Sequence, residues 1–128
     1  MQRRVAVTGL GVISAIGHNR SEFWQSLTAG RPGIGPLEAV DPALLRFSNG
    51  AEVRNYAPAQ YFNEKELSLL DRFVQFGVIT AREAAAQAGI ERTQELREST
   101  AIVTGSCAGG PSPPHAHLRV TPLDKLFG

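Results

Sequence analysis

The sequence predicts an α/β domain built in layers, and three observations support this fold class. A β-branched run near the start ends in closely spaced glycines, an alanine-rich stretch in the middle has helical periodicity, and a second β-branched run follows. The order is strand, helix, long helix and strand, which is typical of helices packed on a sheet with at least two strands. A chain of 128 residues is long enough for one domain with its own core.

The first predicted strand runs from Arg4 to Thr8. Val5 and Val7 lie on one face of such a strand, because side chains alternate between its two faces. Gly9 and Gly11 follow at once and end the run, since glycine adopts positive φ angles without strain.

A short helix is predicted next, with Asn19 or Ser21 as its N-cap. Gly30 stands where a left-handed residue is needed to end this helix. The apolar side of the helix consists of Phe23, Trp24 and Leu27.

Glycine and proline then predict a loop from Gly30 to Pro36. Asp41-Pro42 predicts a turn or a short helix, and the stretch from Gly50 to Val53 predicts a brief strand.

A long helical pattern extends from Asn63 to Gly89. Ser68-x-x-Asp71 has the spacing of a cap, so we expect a break between a short helix and a long one. Gly77 and the alanines make one side of the long helix thin, which allows close packing on a sheet or another helix. Gly89 ends the helix.

The last segments are a strand and an irregular tail. Residues 99–106, "STAIVTGS", predict the second strong strand. Residues 111–128 contain four of the eight prolines and little periodicity, so we expect no regular structure there.

Composition excludes several classes of protein. The formal net charge is +1, with 13 basic and 12 acidic residues spread along the chain, so nucleic acid is not an expected partner. No apolar run approaches the roughly 20 residues that span a bilayer, and no membrane association is expected. The one cysteine, Cys107, cannot form an intrachain disulfide and is compatible with the reducing cytoplasm.

The N-terminus also has features of a secretory signal peptide. Arg3 and Arg4 precede an apolar stretch, and Ala15-Ile16-Gly17 resembles a cleavage site. The stretch is interrupted by Thr8, Gly9, Gly11 and Ser14. A strand followed by a turn therefore explains these residues better than a hydrophobic leader helix.

The glycines after the first strand resemble part of a dinucleotide-binding motif. Gly9 and Gly11 have the required spacing, but Ser14 stands at the third glycine position and Gly17 comes three residues late. The downstream acid, Glu38, lies in a loop rich in proline and glycine. This spacing does not favour an NAD site, and the chain has no P-loop motif.

A second motif, "GSCAG", matches a nucleophile elbow with Cys107 at its centre. His115 and His117 follow and could act as bases or bind a metal. The elbow needs a helix after it, which the proline-rich sequence opposes, and no carboxylate or second cysteine stands near the histidines. We therefore interpret Cys107 as a small packed side chain, and His18 as a surface residue at a helix start.

Taken together, the segments resemble the N-terminal part of a β-ketoacyl-acyl-carrier-protein synthase, an elongating condensing enzyme of the thiolase-like superfamily. The resemblance rests on "RVAVTGLGVISAIG", "FWQSLTAGRPGIGP", "FSNGAEVRNYAPAQYF", "LLDRFVQFGVITAREAAAQAGI" and "AIVTGSCAGG", in the family's order and spacing. It covers about Val5 to Gly110. It implies a partial thiolase-like fold in residues 1–110, followed by a tail in residues 111–128 that does not match the family.

The resemblance also implies a chemistry, decarboxylative Claisen condensation with malonyl-carrier protein in fatty-acid or polyketide synthesis. A cysteine thiolate would hold the acyl chain as a thioester, and two histidines would assist decarboxylation. It implies acyl carrier protein and acyl or malonyl thioesters as partners, a homodimer or heterodimer, and no metal or redox cofactor.

No catalytic residue is transferred by this resemblance. The family's nucleophile opens a buried helix beyond Gly110, and Cys107 stands where the family needs no cysteine. His18, His115 and His117 do not fall in the family's histidine motifs. We therefore expect no catalytic, cofactor-binding or metal residue in this chain, which would be inactive alone as a truncated, frameshifted or partial product.

Two alternatives stay open. Some relatives of condensing enzymes lack the nucleophile and pair with an active subunit, so the chain could be a non-catalytic partner. A weaker alternative is an α/β hydrolase that uses Cys107 as its nucleophile.

Overall fold

The computed structural model describes residues 4–39, 41, 45–90 and 93–105. In this part of the chain, helices carry most of the regular structure. The elements are α1 (Arg20–Thr28), β1 (Gly35–Pro36), β2 (Asn49–Gly50), a 3₁₀ turn (Pro58–Gln60), α2 (Glu64–Leu69), α3 (Arg72–Ala88) and α4 (Gln94–Ser99).

Both ends of α1 lie where the sequence predicts them. The side chain of Asn19 accepts a hydrogen bond from the Glu22 N–H, which satisfies one of the free donors of the first turn. At the other end Gly30 has φ 64°, and its N–H donates to the Leu27 carbonyl. The Arg31 N–H donates to the Ser26 carbonyl, which completes a Schellman motif.

The predicted break between two helices is confirmed, but its cause differs from the prediction. Leu70 ends α2 in an extended conformation and Asp71 begins α3 without a side-chain cap. Ser68 is not a cap, because its hydroxyl donates to the Lys65 carbonyl within α2. A capping box stands instead at the start of α2, between Asn63 and Glu66.

The predicted end of α3 is also confirmed. Gly89 has φ 63°, a left-handed conformation that costs little only for glycine. Its N–H donates to the Ala86 carbonyl, and the Ile90 N–H donates to the Ala85 carbonyl. These bonds satisfy carbonyls that the helix itself leaves free.

The described strands are short and pair with each other. β1 and β2 are antiparallel, with Gly35 opposite Gly50 and Pro36 opposite Asn49. The prediction of a loop from Gly30 to Pro36 is therefore wrong at its end. The predicted strand from Gly50 to Val53 is confirmed only at its first residue.

The two valine-rich segments do not form the common sheet that the sequence predicts. Residues 4–8 have no regular structure, and Val5 and Val7 are 93% and 77% exposed. Residues 101–105 are also irregular, and α4 ends at Ser99, inside the second predicted strand. A strand needs a neighbour to receive its backbone hydrogen bonds, and the described residues provide none for these segments.

The core lies between α3 and the segment before α2. Its buried members are Phe62, Val78 and Ile79. Partly buried side chains pack around them, namely Ile13, Tyr56, Tyr61, Leu67, Leu70 and Val74. Trp24 and Leu27 were predicted to form the apolar side of α1, but they remain 62% and 51% exposed.

Within the described residues, every helix is too short or too polar to span a lipid bilayer.

Candidate functional site

The glycine-rich segment after residue 8 lies directly against the backbone of α3. A Cβ placed on Gly9 would lie 2.0 Å from the carbonyl oxygen of Ala84. A Cβ placed on Gly11 would lie 1.9 Å from the carbonyl oxygen of Thr80, one helical turn earlier. Both positions therefore require glycine, because any side chain would displace the segment from the helix.

The thin side of α3 is approached closely at two of the predicted alanines, but its partner is an irregular segment rather than a sheet or another helix. The close approach is centred on Thr80 and Ala84, with the methyl of Ala88 also near Gly9. Gly77, which was predicted to contribute, has no atom within 4 Å of a Cβ built on it among the described residues.

The backbone N–H groups of this segment donate to side chains of α3. The Leu10 N–H lies 2.7 Å from Oε1 of Gln87, and the Val12 N–H lies 2.9 Å from Oε2 of Glu83. Gln87 and Glu83 are one turn apart and therefore face the same way. Two helix side chains thus receive hydrogen bonds that a neighbouring strand would accept in a sheet.

Glu83 makes a second contact with its other carboxylate oxygen. Oε1 accepts a hydrogen bond of 2.8 Å from the N–H of Arg20, the first residue of α1. The same carboxylate therefore joins the glycine-rich segment, the start of α1 and the middle of α3. An acidic group at a helix N-terminus is also favoured by the helix dipole.

Two further hydrogen bonds lie at the start of α1. The Glu22 N–H donates to Asn19, and the Glu22 carboxylate accepts the His18 N–H at 2.9 Å. The His18 N–H is the main cause that lowers the pKa of the Glu22 carboxyl, with smaller contributions from the Asn19 amide and the charge of His18, opposed by partial burial.

Several backbone N–H groups of the glycine-rich motif are engaged inside the chain. A pyrophosphate needs free N–H groups at a glycine turn and a helix start. Here five backbone N–H groups of the motif and the helix start donate to internal acceptors, namely those of Leu10, Val12, His18, Arg20 and Glu22. Gly9 and Gly11 allow this segment to pack closely on the backbone of α3.

The turn between this segment and α1 is closed by Ser14 and Gly17. The Ser14 N–H donates to the Gly17 carbonyl at 2.8 Å, and the Ser14 hydroxyl accepts the Ile16 N–H at 3.2 Å. A Cβ on Gly17 would lie 2.3 Å from the nitrogen of Phe23. Ser14 and Gly17 therefore shape the turn into the first helix.

A second feature is an open groove of about 520 Å³ between the β2 side and the start of α3. Its charged lining residues are Glu38, Glu52, Arg54 and Arg72. Arg54 Nε lies 3.4 Å from the Glu38 carboxylate, and Arg72 lies 5.4 Å from the ring centre of Phe76. The two acidic and two basic side chains give this lining a formal net charge of zero.

Glu52 stabilises the backbone on one side of this groove. Its carboxylate accepts N–H groups from Glu38 and Ala39 at 2.8 and 3.1 Å. These two hydrogen bonds are the main cause that lowers the pKa of the Glu52 carboxyl. Glu38, the acid considered for a nucleotide ribose, thus belongs to the groove wall and pairs with Arg54.

Tyr56 joins the groove to the core. Its hydroxyl donates to Oε1 of Gln75 at 2.8 Å, and Nε2 of Gln75 donates to the Leu70 carbonyl at 2.8 Å. Burial is the main cause that raises the pKa of Tyr56; Tyr61 adds to this and Arg72 opposes it. The three groups form a polar chain that ties α3 to the break before it.

The other candidates from the sequence lie outside the described residues: Cys107, His115 and His117. His18 is described, and its contact with Glu22 is made by its backbone. Across the described ranges, no three His, Cys, Asp or Glu side chains cluster as metal ligands. Glu83 and Gln87 were not predicted as site residues, although two polar residues four positions apart on an alanine-rich helix face are a detectable signal.

Comparisons with known proteins place this geometry in context. The family model described as "Beta-ketoacyl synthase, N-terminal domain" matches residues 2–123. The match extends past residue 110 into the segment 111–128, where we expected no likeness. The match does not test where the family-like part of the chain ends, so the predicted boundary between that part and the tail, at residue 110, stays a prediction.

Curated relatives are synthases of this kind. A 3-oxoacyl-[acyl-carrier-protein] synthase 2 of Coxiella burnetii is 37% identical over 109 residues, covering 85% of this chain and 26% of the relative. A putative polyketide beta-ketoacyl synthase 1 of Streptomyces halstedii is 34% identical over 110 residues, covering 86% and 26%. The chain spans about a quarter of the length of these relatives.

A solved structure titled "The ishigamide ketosynthase/chain length factor" has a TM-score of 0.64 and 34% identity to this chain. The likeness covers 71% of this chain and 23% of that one. It confirms the predicted fold class, a partial thiolase-like α/β fold, even though the valine-rich segments lack strand partners here.

Proposed function

This chain belongs to the β-ketoacyl synthase family. On that premise we propose that it forms the N-terminal scaffold of a condensing enzyme that elongates acyl chains. The observation that carries the proposal is the family match over residues 2–123. The reaction is decarboxylative Claisen condensation between an acyl thioester and malonyl-carrier protein, in fatty-acid or polyketide synthesis. The relatives' names include both kinds of synthase.

The proposed reaction needs groups that the described residues do not supply. A cysteine thiolate takes the acyl chain as a thioester. Two histidines promote loss of carbon dioxide from the malonyl group, and backbone N–H groups hold the thioester oxyanion. In the described part of the chain there is no cysteine, and the one histidine there, His18, makes its contact through its backbone.

The role that we propose for the described residues is structural. Gly9 and Gly11 set the first segment on α3, and Glu83 joins that segment to α1. The proposed partners are acyl carrier protein, acyl and malonyl thioesters, and a second synthase subunit in a homodimer or heterodimer. The proposed location is the cytoplasm, because the single cysteine suits a reducing compartment.

A non-catalytic partner subunit is the second candidate. It is supported by the likeness to a structure whose title names both a ketosynthase and a chain length factor. In this alternative the chain contributes shape and contacts to an active synthase rather than its own nucleophile.

The DNA that follows the codon of Gly128 distinguishes the two candidates. An Ala-Cys helix start and two histidine motifs in any downstream frame support the enzyme. A separate neighbouring gene for a complete synthase supports the partner subunit. Absence of both from the surrounding DNA would contradict both proposals.

The hydrolase alternative depends on Cys107 and is tested by its reactivity. A catalytic cysteine has a lowered thiol pKa, so it reacts with iodoacetamide faster than a free thiol near neutral pH. We expect Cys107 to react no faster than free cysteine. Alkylation of Cys107 at pH 6 to 7 that is faster than that of free cysteine, on the order of tenfold, would support the hydrolase alternative.

A further inference from the structure

We infer that the carboxylate of Glu83 acts as a clasp, meaning that its two oxygens together hold the glycine-rich segment after residue 8 and the start of α1 against α3. This role requires a carboxylate. The inference concerns a conformational device in this chain and does not depend on the proposed enzyme activity. It rests on the two hydrogen bonds of one carboxylate, to the N–H groups of Val12 and Arg20.

The two donors come from different parts of the chain. Val12 lies in the glycine-rich segment and is 71 positions from Glu83, while Arg20 begins α1 and is 63 positions from Glu83. Their N–H groups point at the two oxygens of one side chain, at 2.9 and 2.8 Å. A single side chain thus fixes both the position of the segment and the point where α1 starts.

A carboxylate is needed because both oxygens act as acceptors. A glutamine at position 83 would offer one oxygen and one NH₂ group. That NH₂ group would face a backbone N–H, so one donor would lose its partner and meet another donor. The hydrogen bond of Val12 is part-buried, so an unpaired N–H there costs free energy comparable to a lost hydrogen bond, whereas the hydrogen bond of Arg20 is exposed and its N–H can donate to water instead.

The neighbouring Gln87 is the natural contrast to Glu83. It receives a single N–H, that of Leu10, at its Oε1. One acceptor oxygen suffices there, and glutamine provides it. The chain therefore has an amide where one acceptor is needed and a carboxylate where two are needed, on successive turns of one helix.

The local charges agree with this role. Arg82, the neighbour of Glu83 in sequence, is engaged with Glu66 at 3.7 Å and with the Tyr61 carbonyl at 3.1 Å. In the part of the chain that the structure describes, both recorded ion pairs involve other acids, so neither neutralises Glu83. The positive end of the α1 dipole, at Arg20, is the favourable partner for its charge.

Amide hydrogen exchange of the full chain tests the clasp. In Glu83→Ala we expect exchange at both Val12 and Arg20 to accelerate by about fivefold or more, as for the loss of about 1 kcal/mol of hydrogen bonding. In Glu83→Gln we expect acceleration at only one of these two amides. The amides of Val78 and Ile79 in the core of α3 serve as internal references and keep their rates.

Gln87→Glu is the matched control, because it adds a charge on the same face and retains an acceptor for the Leu10 N–H. We expect unchanged exchange at Leu10, Val12 and Arg20. The inference is overturned if Glu83→Gln protects both amides as well as the unaltered chain does. It is also overturned if exchange in Glu83→Ala rises equally at Val78, because the effect is then global.

Discussion

The alpha carbon of Gly9 faces the carbonyl oxygen of Ala84 so closely that a Cβ would lie 2.0 Å from that oxygen. Gly11 stands in the same relation to Thr80, at 1.9 Å. The contact is between backbones, so neither side can yield by rotating a side chain. This pair of contacts explains why a glycine turn after a valine run need not be a nucleotide motif.

Gly11→Ala is expected to destabilise the chain by about 1–3 kcal/mol, because the added methyl must push the segment away from α3. The midpoint of urea denaturation measures this loss. Gly77→Ala is the control, since no atom lies within 4 Å of a Cβ at that position in the described structure.

The control should have the opposite sign. Alanine in the interior of α3 is favoured over glycine by about 0.5–1 kcal/mol, so Gly77→Ala should raise stability. Equal loss of stability in Gly11→Ala and Gly77→Ala would contradict the close approach of the first segment to α3.

Tyr56→Phe is expected to cost about 1–3 kcal/mol, because it leaves Oε1 of the buried Gln75 without its donor. The free energy of unfolding by urea measures this, with Tyr61→Phe as an aromatic control. A loss in the control as large as that in Tyr56→Phe would count against the hydrogen bond as the cause.

The same group predicts an alkaline limit to stability. Burial raises the pKa of Tyr56 above its ordinary value of 10.0 in the folded chain. The neutral Tyr56 hydroxyl therefore contributes its full stabilisation of the fold below the pKa that Tyr56 has in the unfolded chain. This stabilisation is lost as the pH rises through the higher pKa of Tyr56 in the folded chain. The slope of stability above pH 10 should be smaller in Tyr56→Phe, and an unchanged slope would contradict this assignment.

Glu22 predicts an acidic limit. The pKa of its carboxyl in the folded chain lies below the ordinary value of 4.5, first because the His18 N–H donates to it. Such a group stabilises the fold above its unfolded pKa, and the contribution disappears as the pH falls through the folded pKa. Thermal melting from pH 7 to pH 2 should show a shallower decline in Glu22→Gln than in the charge-matched control Glu64→Gln.

Gly89→Val is expected to lower stability by about 1–2 kcal/mol or more, because φ is 63° at this C-cap and a β-branched residue is strained there. His115→Ala, in the tail predicted for residues 111–128, should have no measurable effect. Melting temperatures compare the two variants. Similar values for both would mean that the end of α3 contributes little.

The helix ends were predictable because their signals are local. Asn19 and Gly30 bracket α1 within one turn of its ends, and Gly89 ends α3 in the same way. Six-residue α4 escaped prediction, although Thr93 caps it and Glu95 lies in its first turn. The apolar residues after Ser99 favoured a strand. As a result, the predicted strand began at Ser99, which is the last residue of α4.

The strand prediction failed, and the contacts of Glu83 and Gln87 were not predicted, for a different reason. Alternation at Val5 and Val7 indicates a strand, but a strand exists only where another segment accepts its hydrogen bonds. The contacts of Val12 with Glu83 and of Leu10 with Gln87 join residues 71 and 77 positions apart. No local pattern specifies such a pairing, so the sequence indicates the thin face of α3 but not its partners.

Incubation of the purified chain with an acyl-carrier-protein thioester and radiolabelled malonyl-carrier protein tests the central claim most directly. If the reactive sulfur belongs to a part of the synthase that these residues only support, the elongated product stays at the level of a protein-free control. Chain-dependent product would contradict the claim, and its loss in Cys107→Ala would assign the reactive sulfur to Cys107, the one thiol of this sequence.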